Sequence, residues 1–432
     1  MEGGYSMSDR LKIEFRFKVR AIAKPRFILS LVILPVLLSL GLLSLTGCRS
    51  VSDEDLRNSS VPLQAWSAAQ TQGKLQPFPP KVTNRLQRLL NRHAEFDQIP
   101  GVVLQVATSD GVWMGSAGIS DRTNKTPLKP TDRFRIASLT ELFVSVVCLQ
   151  LAEDGKLDLD ATIARYLPQE VMTKLENSQL VTVRQLLNHT SGLSDPDPAK
   201  PSSRQFLAAP QSEWTAQKVL DFLPTQERAV PKDTFSHASS NYLLLEVMIA
   251  QVTGQPLVKV LRDRIFKPLK LNNTFLERRE PIPGGFVQGY QDWDEQGKPA
   301  SKPDSQLDNV TRPLIDTGLG LGDSGIISSA SDITRFFQAV FSDNTLLYPN
   351  SLNQMLTLAE DGRGGYGLGI RHTMTPWGEG WAQTGTTTGF SSILLYMPVH
   401  DLTLVVWSND GDREDEPYEI AQKSLEIILG KP

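Results

Sequence analysis

Phe134-Arg-Ile-Ala-Ser-Leu-Thr-Glu-Leu-Phe143 runs into an apolar, helix-like stretch that ends near Leu151. Ser138-Leu-Thr-Glu141 therefore stands where a helix begins, and Ser-x-x-Glu before an apolar run is the pattern of a capping box. In that arrangement Ser138 Oγ accepts from the amide of residue 141, and Glu141 folds back onto the amide of Ser138. Such a cap stabilises a helix by about 1 kcal/mol.

Upstream of this segment, Val82, Leu86, Leu89, Leu90 and His93 recur at helical spacing. Gly101 to Thr108 and Val112 to Ala117 read as strands around Ser109-Asp110-Gly111, a hairpin signal. Downstream, residues 155–280 look mainly helical, with apolar stripes at Val183–Asn188, Thr215–Phe222 and Tyr242–Val252 separated by a Pro-rich loop at 195–210. A polar excursion at 281–316 comes next. Ser331-Asp332 opens another helix through Val340, Gly389–Tyr396 and Leu402–Trp407 return to strands, and Pro417–Leu429 reads as the last helix. Strands at both ends around a helical middle imply a sheet built from both ends of the chain, with a helical insertion. The expected division is a sheet subdomain at 81–137 and 317–432, and a helical one at 138–316.

The chain has 432 residues, 40% hydrophobic and 21% charged, enough for one large domain or two. Its formal charge is −4, but the first 47 residues carry seven Lys/Arg against three Asp/Glu. The remainder of the chain is more acidic and holds no basic run, which argues against nucleic acid as a partner. Residues 10–26 are basic and 27–45 almost wholly apolar, and Leu45-Thr-Gly-Cys48 ends the run. This order makes a secretory signal, and the Leu-Thr-Gly-Cys ending resembles the lipobox of bacterial lipoproteins. On that resemblance residues 1–47 are a leader and Cys48 is the lipid attachment site. Residues 48–80 then form a polar tether before a body at 81–432. An uncleaved membrane anchor is the alternative, because about 19 apolar residues can span a bilayer. With Cys48 acylated, Cys148 is left without a disulfide partner, and its apolar neighbours mark it as a buried structural thiol. The five histidines, 93, 189, 237, 372 and 400, lack ligand spacing, so no metal site and no cofactor is expected.

Several stretches in order resemble one family over roughly residues 80–430. They are Phe134-Arg-Ile-Ala-Ser138; Gly155-Lys-Leu-Asp-Leu-Asp160 with Tyr166-Leu-Pro168; Val181-Thr-Val-Arg-Gln-Leu-Leu-Asn-His-Thr-Ser-Gly-Leu193; Phe235-Ser-His-Ala-Ser-Ser-Asn-Tyr242; Gly325-Ile-Ile-Ser-Ser329; and Gln383-Thr-Gly-Thr-Thr-Thr-Gly-Phe-Ser391. The chain resembles the serine β-lactamase and penicillin-binding-protein family, on the branch of the class C β-lactamases and D-alanyl-D-alanine carboxypeptidases. The resemblance implies an α/β (α+β) fold, with an antiparallel sheet flanked by helices from both chain ends and a mainly helical subdomain.

It also implies a serine hydrolase with three motifs. Ser-x-x-Lys supplies nucleophile and base, Tyr-x-Asn a second proton-transfer group and an amide, and Lys-Thr-Gly a cation, a strand edge and an oxyanion amide. Here Ser138, Thr384 and Gly385 match. Glu141 stands for the lysine, His237 for the tyrosine, Ser239 for the asparagine and Gln383 for the third-motif cation, while Thr386 contributes a backbone amide. His189 falls in a turn that in the family closes a helix with Gly192. At an effective dielectric near 20, exchanging a cation for an anion about 5 Å from a substrate carboxylate costs about 6 kcal/mol. Weak or absent action on β-lactams and D-Ala-D-Ala peptides is therefore expected.

Three readings stay open. A capping box at Ser138 closes the site of a degenerate homologue. A Ser138–His237–Glu141 arrangement makes an active esterase or amidase. A non-catalytic envelope protein binds peptidoglycan peptides or a protein. The expected location is the bacterial cell envelope, lipid-anchored and facing the extracytoplasmic side.

Overall fold

Val102, Leu104 and Val106 of strand β1 (Gly101–Thr108) enter one apolar core and Val103 enters another, so both faces of the strand are buried. That is why β1 reads as a continuous apolar run rather than an alternation. The computed structural model describes residues 78–96, 99–109, 111–175, 180–195, 214–220, 233–292, 308–309, 320–343, 345–359 and 365–432. The expected leader, Cys48 and nearly all of the tether lie outside these residues, as do most of the loop at 195–210 and much of the excursion at 281–316.

β1 folds back on β2 (Gly111–Asp121), with Thr108 opposite Gly111, which is the expected hairpin. A short β3 (Thr126–Pro127) lies on the outside. On its other edge β1 pairs antiparallel with β12 (Leu402–Ser408), the last strand of the chain. β11 (Phe390–Met397), β10 (Gly378–Thr387) and β9 (Arg371–Thr375) complete a seven-stranded sheet in the order β3-β2-β1-β12-β11-β10-β9. The sheet is antiparallel and drawn from both chain ends, as expected.

Helices cover both faces. Helix α1 (Pro80–Phe96) brings Leu86 and Leu90, and the C-terminal helix (Glu416–Leu429) brings Ile420 and Leu425, onto the Val102, Leu104 and Val406 side. His93 of the first contacts Glu416 of the second. The opposite core holds helix α2 (Thr140–Glu153), which is buried nearly all round. An all-apolar helix has no stripe to orient it and must lie inside the protein. Phe143 of α2 stacks on Phe336 with ring centroids 3.7 Å apart, and cutting such a side chain to Ala typically costs about 3–5 kcal/mol. Cys148 of α2 is fully buried, and burial pushes its thiol well up, in keeping with an inert role.

A smaller sheet positions the start of α2. β4 (Arg133–Arg135) and β5 (Phe275–Leu276) flank β8 (Ile326–Ser329) in the order β4-β8-β5. Arg135 grips Glu277 through two 2.8 Å bonds, a buried, bidentate pair that ties β4 to the end of β5. Part of the polar excursion forms a two-stranded piece, β6 (Tyr290–Gln291) with β7 (Asp308–Asn309). Among the described residues no single helix is long and apolar enough to cross a membrane.

Candidate active site

The chain passes from β4 into α2 through a 3₁₀ turn, Ala137–Leu139, fastened from two sides. Ile136 N–H donates to the carbonyl of Ile326 (3.0 Å), and Ile326 N–H donates to Thr140 Oγ1 (3.1 Å), which locks the turn to β8. From the other side, Ser392 Oγ donates to Ile136 O at 3.2 Å. β10 comes so near that a Cβ on Gly385 would meet Ile136 O at 2.5 Å, so only glycine fits there. Ala137 sits at φ 49°, a left-handed conformation costing a non-glycine residue roughly 1–2 kcal/mol. Ser138, next along, is half-buried.

The expected capping box at Ser138 does not form. Because the 3₁₀ turn occupies 137–139, α2 starts at Thr140, with Leu139 at the N-cap and no side-chain cap. That frame puts Leu142 at the third helical position that a capping box requires. Glu141 instead turns inward and is fully buried. Its Oε2 accepts from His189 Nε2 (3.3 Å), Gln383 Nε2 (3.3 Å) and Tyr366 OH (3.4 Å). Its Oε1 lies 3.2 Å from His237 Nε2, an ion-pair contact short of hydrogen-bond alignment.

His189 comes from a region read as purely structural. Helix α3 (Val183–Leu187) begins with a true capping box: Thr182 Oγ1 accepts from Gln185 N–H (3.3 Å), and Thr182 N–H donates to Gln185 Oε1 (3.0 Å). The helix closes at Asn188, and His189 itself takes the left-handed position at φ 57°. Its fully buried ring has Nδ1 facing two donors, Ala238 N–H at 3.2 Å and Asn241 Nδ2 at 3.0 Å. A backbone amide can only donate, so Nδ1 carries the lone pair and Nε2 the proton, which it gives to Glu141.

The charges are set by this packing. Burial drives the Glu141 carboxyl up, but the imidazoles of His237 and then His189 reverse this and hold it at about 2. Burial lowers the pKa of His189, and neighbouring His237 lowers it further, so His189 is the neutral ring. Burial also works against the charged form of His237, yet Glu141 outweighs it and raises the pKa above the ordinary value. The rings lie 4.2 Å apart between centroids, too close for both to be charged. Burial pushes Tyr242 and Tyr366 well up, so both stay phenols at neutral pH. The loss of positive charge read from the sequence is therefore partly offset whenever His237 is protonated, since its cation then lies beside Glu141. Arg371 adds another, lying 5.2 Å from the Phe235 ring centroid and 5.4 Å from that of Tyr366.

The remaining expected residues divide. Gln383 joins the cluster. Its Nε2 reaches Ser138 O (3.2 Å), Tyr366 OH (3.1 Å) and Glu141, three acceptors for two hydrogens. Gly385 shares that face of β10, whereas Thr384 and Thr386 alternate to the other face with exposed side chains, leaving their backbone as what they can offer. β9 stops pairing with β10 at Ala382, so the outer edge of Gln383–Thr387 has no strand partner among the described residues. Ser239, half-buried, opens the helix α4 (Ser239–Thr253). The amide of that segment which enters the cluster is Asn241, two positions later. His189, Asn241 and Tyr366 are thus site residues that the sequence reading missed.

Glu141, His189 and His237 each offer an atom, all within 4.8 Å of one another, a spacing one metal ion can span. Sequence spacing gave no hint of this, since the residues lie on three separate segments. The proton on His189 Nε2 argues against a metal. Moving it to Nδ1 would set two N–H groups against each other at Ala238.

The β-lactamase family model matches residues 86–426. The chain is similar to penicillin-binding protein 4* of Bacillus subtilis (strain 168), 28% identical over 366 residues that cover 80% of this chain and 76% of that protein. Its fold is similar to D-amino acid amidase from Ochrobactrum anthropi SV3, complexed with L-phenylalanine amide. There the TM-score is 0.68 at 27% identity, over 81% of this chain and 99% of the other. A D-stereospecific amidohydrolase from Streptomyces sp. gives a TM-score of 0.66 at 26% identity, over 82% and 100%.

Proposed function

The chain belongs to the β-lactamase and penicillin-binding-protein-like family of serine hydrolases, and from that premise we propose that it is a serine amidase or esterase with a rebuilt proton-transfer group. Ser138 is the nucleophile, His237 the general base and Glu141 the carboxylate that orients and charges the base. The observation that carries this reading is the direction of Glu141, which faces two imidazoles instead of capping its own helix.

His237 has Nε2 against Glu141, which leaves Nδ1 as the basic nitrogen, and its side chain is 40% exposed. Nδ1 takes the Ser138 hydroxyl proton as Oγ bonds to the substrate carbonyl carbon. The tetrahedral intermediate then collapses, and His237 returns that proton to the leaving amine or alcohol. Water, deprotonated by the same nitrogen, adds to the acyl carbon; the C–Oγ bond then breaks, and His237 returns the proton to Ser138 Oγ. Contacts that are loose in a resting site tighten when the reacting group arrives, which fits the misaligned His237–Glu141 pair. Both tyrosines are held as phenols and so are poor bases, which leaves His237 as the group suited to the task.

The substrate class is an amide, peptide or ester rather than a penicillin. With glutamate in the lysine position and glutamine in the third motif, the pocket offers a carboxylate less attraction than the family's usual site. The similar proteins, named as amidases and a penicillin-binding protein, support an amide or peptide. The edge of β10 at Gln383–Thr387, which has no strand partner among the described residues, suits an extended substrate backbone. We extend the proposal to the N-terminus: Leu45-Thr-Gly-Cys48 is a lipid attachment signal that anchors the enzyme outside the cytoplasmic membrane. Lipid mass on a peptide beginning at Cys48 is the expected result, and an intact leader would sink that part.

A fluorophosphonate probe tests the catalytic reading. It should label wild-type protein at Ser138, with labelling abolished in Ser138→Ala and strongly slowed in His237→Ala. A folded wild-type protein that takes no label would point to the non-catalytic binding role.

A further inference from the structure

We propose that His189 is a positioning residue for this site, holding Glu141 so that one carboxylate oxygen always faces His237; this rests on the catalytic roles given above. The lock starts from two backbone amides, which can only donate. Leu193 N–H donates to Ser191 Oγ (3.1 Å), and Ser191 Oγ donates to Asn241 Oδ1 (2.7 Å). This fixes the Asn241 amide with Nδ2 toward His189 Nδ1, at 3.0 Å. Ala238 N–H, one residue after His237, presents a second donor to the same nitrogen at 3.2 Å. His189 can therefore only donate from Nε2, and Glu141 Oε2 is its acceptor at 3.3 Å.

The consequence runs through the carboxylate. With Oε2 held by His189, Oε1 is left for Nε2 of His237. A proton kept there leaves Nδ1 unprotonated in the neutral ring, as the base must be. Ala238 ties the two histidines together, because the segment that carries His237 also sets the tautomer of His189. The left-handed backbone at His189 is strain kept in place by these contacts. A residue needed only for the turn would be glycine, as at Gly192 three positions on, which is itself left-handed at φ 76°.

The test compares His189→Leu, which removes the donor, with His189→Gln, which keeps an N–H able to reach Glu141. Other charges near His237 are Asp195, which favours its protonation, and Arg371, which opposes it. Both stay in every variant. His189→Leu should lower kcat about 10- to 100-fold with little change in KM and shift the acid limb of the pH profile. His189→Gln should restore most of the rate and the wild-type limb. Equal losses in both variants with an unmoved limb would make His189 merely structural and overturn the proposal.

Nitrogen-15 spectra of the histidine rings give a readout independent of turnover. Wild-type His189 should stay neutral with its proton on Nε2 while His237 titrates. A His189 protonated on Nδ1 would overturn the lock even in an active enzyme. If Ser138 never reacts with the probe but His189 shows the expected tautomer, the catalytic reading has failed and the lock has not.

Discussion

Two helices of this protein begin with the same four-residue pattern and use it differently. At α3, Thr182-Val-Arg-Gln185 forms both bonds of a capping box. At α2, Ser138-Leu-Thr-Glu141 forms neither, because the strand before it runs into a 3₁₀ turn pinned by β8 and β10 and the helix starts one residue late. The capping pattern is a local signal worth about 1 kcal/mol. It loses when tertiary contacts fix the frame and two imidazoles, one of them fully buried, compete for the carboxylate. Thr182–Gln185 is a stability device; on the proposed reading, Ser138–Glu141 serves chemistry instead.

Substitutions can break or sharpen that contrast. The largest effect is expected from Ser138→Ala, which should abolish turnover and probe labelling with little loss of stability. Residual labelling at another serine would end the comparison. Next comes Glu141→Gln, which is informative because glutamine also serves in a capping box. If Glu141 orients His237, kcat/KM for an ester or amide should fall about 10³- to 10⁴-fold. An unchanged rate would return Glu141 to a structural role.

The pH dependence is smaller but has a definite sign. His237 must be neutral to accept a proton, and Glu141 raises its pKa above the usual 6.5. Below that raised value kcat/KM should fall tenfold per pH unit, and the limb should move to lower pH in Glu141→Gln. Stability adds a second acid signature. Glu141 has its folded pKa lowered to about 2 from 4.5, so its ionised form contributes stability fully above pH 4.5 and loses it as pH falls toward 2. Denaturant midpoints of wild type and Glu141→Gln should converge across that window. The capping box holds no ionisable group and should show no such dependence. Smallest of all, Thr182→Ala should cost about 1 kcal/mol of stability and leave kcat untouched.

The same contrast separates what was legible from what was not. β1, β11 and β12 announce themselves as apolar runs because both their faces are buried, and the Thr108–Gly111 hairpin by its turn residues. β4, β5 and β8, two to four residues each, are too short for periodicity to register, although they set the frame of Ser138. In the site, resemblance to a family brought Ser138, Glu141, His237 and Gln383 together. It passed over His189 because the turn that holds it looked sufficient to explain it. A bulky residue in a left-handed turn that glycine would fill at lower cost was the available signal. Tyr366 sits among Gly365, Gly367 and Gly369, whose close approaches to neighbouring side chains and backbone became visible only in three dimensions. Asn241 falls within a matching segment but lies two positions beyond Ser239, the position that corresponds to the amide.

The pairing of β1 with β12 has a consequence for how the protein comes into being. The second strand of that pair is made long after the first, so the central sheet cannot close until β12 has been made. Contacts this distant in sequence form slowly, and β10 and β11, which brace the Ser138 turn, also arrive late. A chain lacking its final strands would carry the serine, both histidines and Glu141 and still have no wall to hold them. On the proposed reading, competence for reaction is thus withheld until β10, β11 and β12 have all been made.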